Sequence, residues 1–171
     1  MRIRNKTLTT FIICLLFSAF ANTVDAQWTD MVWGANNFNF KMPSQFTILQ
    51  NDTNNFAASG TTFTMVFKNW EADSVLSLPA VCMDAINEIP AKDLAIVDQR
   101  TNNDQEGLWG FEAELTATQQ DKLMHILVGT YQDMFQLTVY TIKVVYWDDP
   151  DQNQTNFDAA NFILANLKVV R

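Results

Sequence analysis

The chain has 171 residues, 48% of them apolar and 12% aromatic, which argues against a disordered protein. Its 19 acidic and 11 basic side chains leave a formal net charge of −8, and such a surface repels phosphate backbones, so nucleic acid is a poor partner. Two cysteines, five glycines and one histidine leave little for phosphate-loop or paired-imidazole chemistry.

Arg2, Arg4 and Lys6 open the chain, an apolar run follows through Phe11, Leu15, Leu16 and Phe20, and the stretch ends at Val24-Asp25-Ala26. A basic start, an apolar middle too short to span a bilayer and small residues at its end are the features of a secretory signal peptide. Residues 1–26 are therefore expected to be removed between Ala26 and Gln27, and the new Gln27 can cyclise to pyroglutamate. The remainder, 27–171, carries 8 basic and 18 acidic residues. It is long enough for one domain with its own core and has no second apolar segment of transmembrane length. Cys82 is then the sole cysteine, so no internal disulfide forms. It lies in the helically spaced stripe Leu78, Val81, Cys82, Ala85, Ile86 and Ile89, the setting of a buried, unreactive thiol.

Residues 27–37 bring Trp28, Met31, Val32 and Trp33 together, and exposed tryptophans being costly, they are expected to pack as a covering arm. Phe38 and Phe40 alternate with polar neighbours until Pro43, and Phe46 and Ile48 make a second short strand before the turn Asn51-Asp52-Thr53-Asn54-Asn55. Phe63, Met65 and Phe67 mark a half-buried strand. A helix is expected over 77–89, with Ser77 at its start and Pro90 as its stop. Leu94 to Val97 read as a strand, followed by the loop Thr101-Asn102-Asn103-Asp104. Trp109, Phe111, Ala113 and Leu115 share a strand face, two long strands follow over 121–131 and 134–146, and a last helix opens near Thr155 with Asp158 as a capping-box partner.

Two-residue turns at Gln119-Gln120 and Gln132-Asp133 would set Leu115 opposite Met124, Ala113 opposite Ile126 and Ile126 opposite Val139. One face of three strands then becomes almost wholly apolar. The apolar phase changes near Tyr140, where a bulge or bend is expected. The fold class that results is α+β, an antiparallel sheet meander packed by two helices.

This order of elements, carried by Phe38-Asn39-Phe40-Lys41-Met42-Pro43 with Phe46, the helix 78–89, Gly110 with Phe111, and Phe157 through Leu167, resembles the PsbP-like α/β sandwich and the DcrB-like periplasmic proteins. The resemblance implies a noncatalytic accessory or partner-binding role. It carries no active-site residue to any position here.

On the face opposite the apolar one, the same register would place Glu114 beside His125 and His125 beside Tyr140. That row suits proton transfer or ligand binding, and equally a satisfied polar row beneath a helix, since Leu123, Leu127 and Ile142 share the face. Glu112 and Glu114, about 7 Å apart on one strand face, have a spacing that glycosidase carboxylates use and that solvated strand pairs also show. Asp149, Asp151 and Asn153 match the start of a calcium loop, but Gln154 stands where glycine is required and Ala160 where the bidentate glutamate belongs, so a solvated loop without metal is expected. Trp70 and Trp147 end strands near charged loops and are candidates for a shared groove. The reading is an exported, secreted or periplasmic protein that needs no cofactor and binds an envelope protein or a small ligand without turning it over. A small hydrolase using Glu112 and Glu114, or the Glu114, His125 and Tyr140 row, is the alternative, as is a structural envelope component.

Overall fold

The computed structural model describes residues 27–33, 37–103 and 107–170. The expected signal segment, with Ala26 on the near side of its cleavage point, lies outside these residues. In chain order the elements are β1 (Trp28–Trp33), β2 (Phe38–Pro43), β3 (Thr47–Asn51), β4 (Asn55–Ser59), β5 (Phe63–Glu71), α1 (Leu78–Asn87), β6 (Lys92–Asn102), β7 (Leu108–Gln119), β8 (Lys122–Asp133), β9 (Thr138–Trp147), α2 (Asn153–Ala165) and β10 (Lys168–Val169). Seven strands make one antiparallel sheet in the order β3-β4-β5-β9-β8-β7-β6, and β1-β2-β10 make a second, smaller one. The α+β class with two helices packed on an antiparallel sheet is the architecture expected.

Both faces of the large sheet are covered. On one, Cys82, Ala85 and Ile86 of α1, with Ile89 just past its end, lie against Leu115, Ile126 and Val128 of the sheet. The small Ala113 and Ala117 let that helix approach closely. On the other, the small sheet and α2 bury an aromatic core, in which Phe67 meets Phe38, Phe40 and Phe56 at centroid distances of 6.4, 4.6 and 5.6 Å. Each such ring contributes about 1.5–3 kcal/mol by leaving water. The covering arm is present as β1, which pairs with β2 along its length, seats Trp28 on Phe162 at 4.5 Å and buries Trp33.

Alternation kept the faces right while the pairings moved. Strands β7 and β8 turn at Gln120-Asp121, both at positive φ (52° and 60°), so Leu115 faces Ile126 and Ala113 faces Val128. Strands β8 and β9 are joined by a longer loop, and Ile126 faces Val145 rather than Val139. Its cause is Asp133, whose Oδ1 accepts from the backbone N–H groups of Phe135 and Gln136 (2.8 and 3.3 Å), with Leu137 following at φ 56°. Each slip is by an even number of residues, so every side chain stays on its predicted face.

The bulge expected near Tyr140 is absent: β9 pairs without interruption with both β5 and β8. Its apolar residues change phase because both of its faces are buried. Thr101 and Asn102, expected in a loop, continue β6, and the capping box at Thr155 and Asp158 does not form, because α2 begins at Asn153. There Asn153 Oδ1 accepts from the Asp149 backbone (2.9 Å), while Asp158 pairs with Gln154 Nε2 instead (2.9 Å).

Candidate functional site

Glu112 is the buried carboxylate among the candidates, 4% exposed on β7. Its cross-strand partner is Gly129, and the next pair on the same face is Gly110 with Tyr131. A Cβ on either glycine would stand 2.6 Å from the Tyr131 ring, so both positions must lack one for the ring to lie flat on the sheet. So placed, the Tyr131 hydroxyl donates to Glu112 Oε1 at 2.5 Å. Asn102 Nδ2 donates to the same oxygen at 2.6 Å, Arg100 Nε donates to Oε2 at 2.7 Å, and Arg100 Nη2 reaches Asn161 of α2 at 2.5 Å. Burial, and then the adjoining carboxylate, push the Tyr131 hydroxyl well above its usual 10. The recess beside Glu112, closed by Leu127, Phe157 and Leu164, has about 10 Å³, the room of one water molecule. Chemically this is a charge-assisted clasp that ties the edge strand β6 to the sheet and to α2.

Glu114 lies two residues on, half-buried and opposite Leu127. The row of Glu114, His125 and Tyr140 is not assembled: the β7–β8 turn at Gln120-Asp121 moves His125 off Glu114, and the longer β8–β9 loop moves Tyr140 off His125. His125 pairs with Thr116 and Tyr146, stacks on the Tyr146 ring at 5.1 Å and hydrogen-bonds through Nε2 to Asp148 Oδ1 at 3.0 Å. That bond, with one from Asn153, holds the Asp148 carboxyl below its usual range. Tyr140 pairs with Tyr131 and Asn69, stacks on Phe38 at 4.2 Å, and burial pushes its hydroxyl up to about 12.

Trp70 and Trp147 sit at opposite ends of the sheet, facing Val139 and Met124 respectively, and share no groove. Trp70 instead lines a groove of about 700 Å³ with a different set of neighbours. It exists because β5 outruns the β3–β4 hairpin: Asn55 at the start of β4 pairs with Lys68, leaving Asn69, Trp70 and Glu71 beyond it. The hairpin turn folds over this end, and Asn69 N donates to Asn54 O at 3.0 Å. Asp52 fixes the turn, its Oδ1 accepting from the backbones of Asn54 (2.9 Å) and Asn55 (2.8 Å), while its carbonyl accepts from the buried Trp33 Nε1 at 2.7 Å. A bond from Gln50 and these backbone bonds, acting against burial, draw the Asp52 carboxyl below its ordinary value. Asn37, Gln136 and Thr138 supply the remaining lining that matters. Sequence reasoning read Asn51 through Asn55 as a turn only; the density of carboxamides there was the signal for a polar site.

Cys82 is fully buried, and burial raises its thiol pKa, so it contributes packing. In the candidate calcium loop, Asp149 Oδ1 accepts from the Asp151 backbone at 3.1 Å and Asn153 bonds back to Asp148 and Asp149. Among the described residues no group of three or more His, Cys, Asp or Glu side chains is placed to hold a metal, and no helix is long and apolar enough to cross a membrane.

No protein-family model matches the chain, and no curated protein matches it significantly in sequence. Solved structures do match its shape. The Saccharomyces cerevisiae Ran-binding protein Mog1p superposes with a TM-score of 0.63 at 9% identity, covering 85% of this chain and 96% of its own. LpqN of Mycobacterium tuberculosis, involved in cell envelope biogenesis, gives 0.57 at 15% identity, over 86% and 93%. The fold is shared. At these identities the likeness reaches no further.

Proposed function

We propose that the chain is an exported, noncatalytic accessory protein that binds its partner or ligand through the groove beside Trp70. The groove carries the reading: it is large enough for a ligand, polar, and built by a hairpin turn held rigid through Asp52 and Trp33. Glu112, the strongest hydrolase candidate, has both oxygens engaged by internal donors, which supports binding over turnover. The fold neighbours include a Ran-binding protein and an envelope-biogenesis protein, which supports an accessory role, and the DcrB-like periplasmic resemblance belongs to the same proposal. Export rests on the basic and apolar segment 1–26.

The test has two arms. Expression of the full chain in a Gram-negative host, followed by intact mass of the envelope fraction, is expected to return a chain beginning at Gln27; an uncleaved cytoplasmic product overturns export. Affinity capture with wild-type and Trp70→Ala proteins from envelope extract is expected to lose a stoichiometric partner in the variant. Hydrolysis of a glycoside that Glu112→Gln abolishes would overturn the noncatalytic reading.

A further inference from the structure

We propose that the groove takes a neutral, hydroxyl-rich ligand, a short uncharged oligosaccharide lying against Trp70. This rests on the binding reading above and names the chemistry of its ligand. Four asparagines, Asn37, Asn54, Asn55 and Asn69, converge on the groove with Gln136. A carboxamide carries both donor hydrogens and acceptor lone pairs. A sugar hydroxyl is also donor and acceptor at once, so neighbouring hydroxyls match this lining bond for bond.

Charge points the same way. The groove's charged side chains are Lys68 and Glu71, of opposite sign, and Lys68 already has Glu88 at 3.8 Å. A phosphate, carboxylate or ammonium would find no net counter-charge there. An apolar ligand would find little wall, since Tyr140 is buried to 1% exposure and Trp70 is the one other aromatic side chain in the lining. A half-buried tryptophan at the edge of a polar groove suits the C–H face of a pyranose ring, which is apolar while its rim is hydroxylated. A peptide added as a strand is less well served, because Asn69 N, the first backbone donor past the hairpin, is already given to Asn54 O. The turn that carries Asn54 and Asn55 is set in advance by Asp52, so little ordering accompanies binding.

Isothermal titration of the exported wild-type protein with maltotetraose, cellotetraose, chitotetraose and mannotetraose tests this, with an uncharged tetrapeptide in parallel. At least one tetrasaccharide is expected to saturate, and Trp70→Ala to weaken it by about tenfold, the scale of a lost aromatic contact. Trp70→Phe, which keeps a ring, should lose less, and Trp147→Phe at the far end of the sheet should lose nothing. Saturation by none of the four sugars, an effect of Trp147→Phe equal to that of Trp70→Ala, or binding of the tetrapeptide alone overturns the proposal. Where Trp70→Ala does not fold, Asn55→Ala replaces it, with a severalfold loss expected and an unchanged affinity counting against the site. A partner captured through Trp70 while every sugar fails would leave the binding reading standing and remove only the ligand class.

Discussion

The two faces of the seven-stranded sheet are sealed by different chemistry. Under α1 the contact is aliphatic and small, with Ala113, Ala117 and Cys82 giving way to Leu115, Ile126 and Val128. Its main charged element is Lys143, whose ammonium burial draws below its ordinary pKa and which has Glu88 at 3.8 Å. Under α2 and the small sheet the contact is aromatic, and a carboxylate with three donors is embedded in it. One helix on a sheet needs small residues to come close. A face covered jointly by a sheet and a helix leaves gaps that rings fill and that polar clasps must close. The groove lies at the end of the sheet where the two faces meet, with Asn69 and Tyr140 lining it from the aromatic side and Lys68 and Trp70 from the side of α1.

The largest effect expected is at the centre of the rings. Phe67→Ala removes the ring that touches three others and should cost about 3–5 kcal/mol in denaturant unfolding. Ile126→Ala on the aliphatic face should cost about 2–5 kcal/mol while leaving the near-ultraviolet circular dichroism of the aromatic core in place. Equal loss of that signal in both variants would break the contrast, showing the faces to be one packing unit.

Next comes the clasp. Glu112→Ala strands the buried Tyr131 hydroxyl and should cost about 1–3 kcal/mol, with Arg100 able to turn to water and soften the loss. Glu112→Gln keeps an acceptor for Tyr131 and should recover part of it. If Gln is as damaging as Ala, the charge matters more than the hydrogen bonds.

Alkali should attack the same face. The chain has three tyrosines, and Tyr131, Tyr140 and Tyr146 all lie in the aromatic core. Burial raises all three, Tyr140 and Tyr146 to about 12. A raised folded pKa means the native state holds its proton more tightly. The stability is thus present in full below the ordinary value of 10 and is lost as pH climbs from there through the folded values. Phenolate absorbance should therefore stay flat past pH 10 and rise together with unfolding. A phenol that titrates near 10 in the folded protein would show that face to be open to water.

The contrast was half visible in the residues. Phe38, Phe40, Phe63 and Phe67 on one set of strands and Leu115, Ile126 and Val128 on another assign the two cores by alternation alone, because a register slip by an even number of residues leaves faces unchanged. Partners were not legible, because they depend on where a chain turns. Gln120-Asp121 lacks the usual residues for its turn, and the Asp133 loop is held by side-chain bonds that no alternation pattern records. Hence the Glu114, His125 and Tyr140 row failed, while Glu112, read only as half of a spaced pair, proved to be the centre of a clasp assembled from three other positions. The strands β4 and β10 escaped because Ala57, Ala58 and Ser59 look like a loop and two residues make no pattern.

The smallest effect concerns the element both faces share. Gln120 and Asp121 occupy the left-handed region without being glycine, at φ 52° and 60°, in the tight β7–β8 turn. That turn type favours Asn-Gly, since asparagine tolerates and glycine freely adopts positive φ. Replacing the pair by Asn-Gly relieves steric strain at both positions, offset in part by the extra freedom glycine gives the unfolded chain. A net gain of about 0.5 kcal/mol is expected, seen as a higher denaturant midpoint with an unchanged slope. Because β7 and β8 present Glu112 and Tyr131 to one side and Leu115 and Ile126 to the other, the gain should appear equally in aromatic and amide-exchange readouts of both cores. A gain confined to one would mean that the hairpin is anchored by that face alone and only leans on the other.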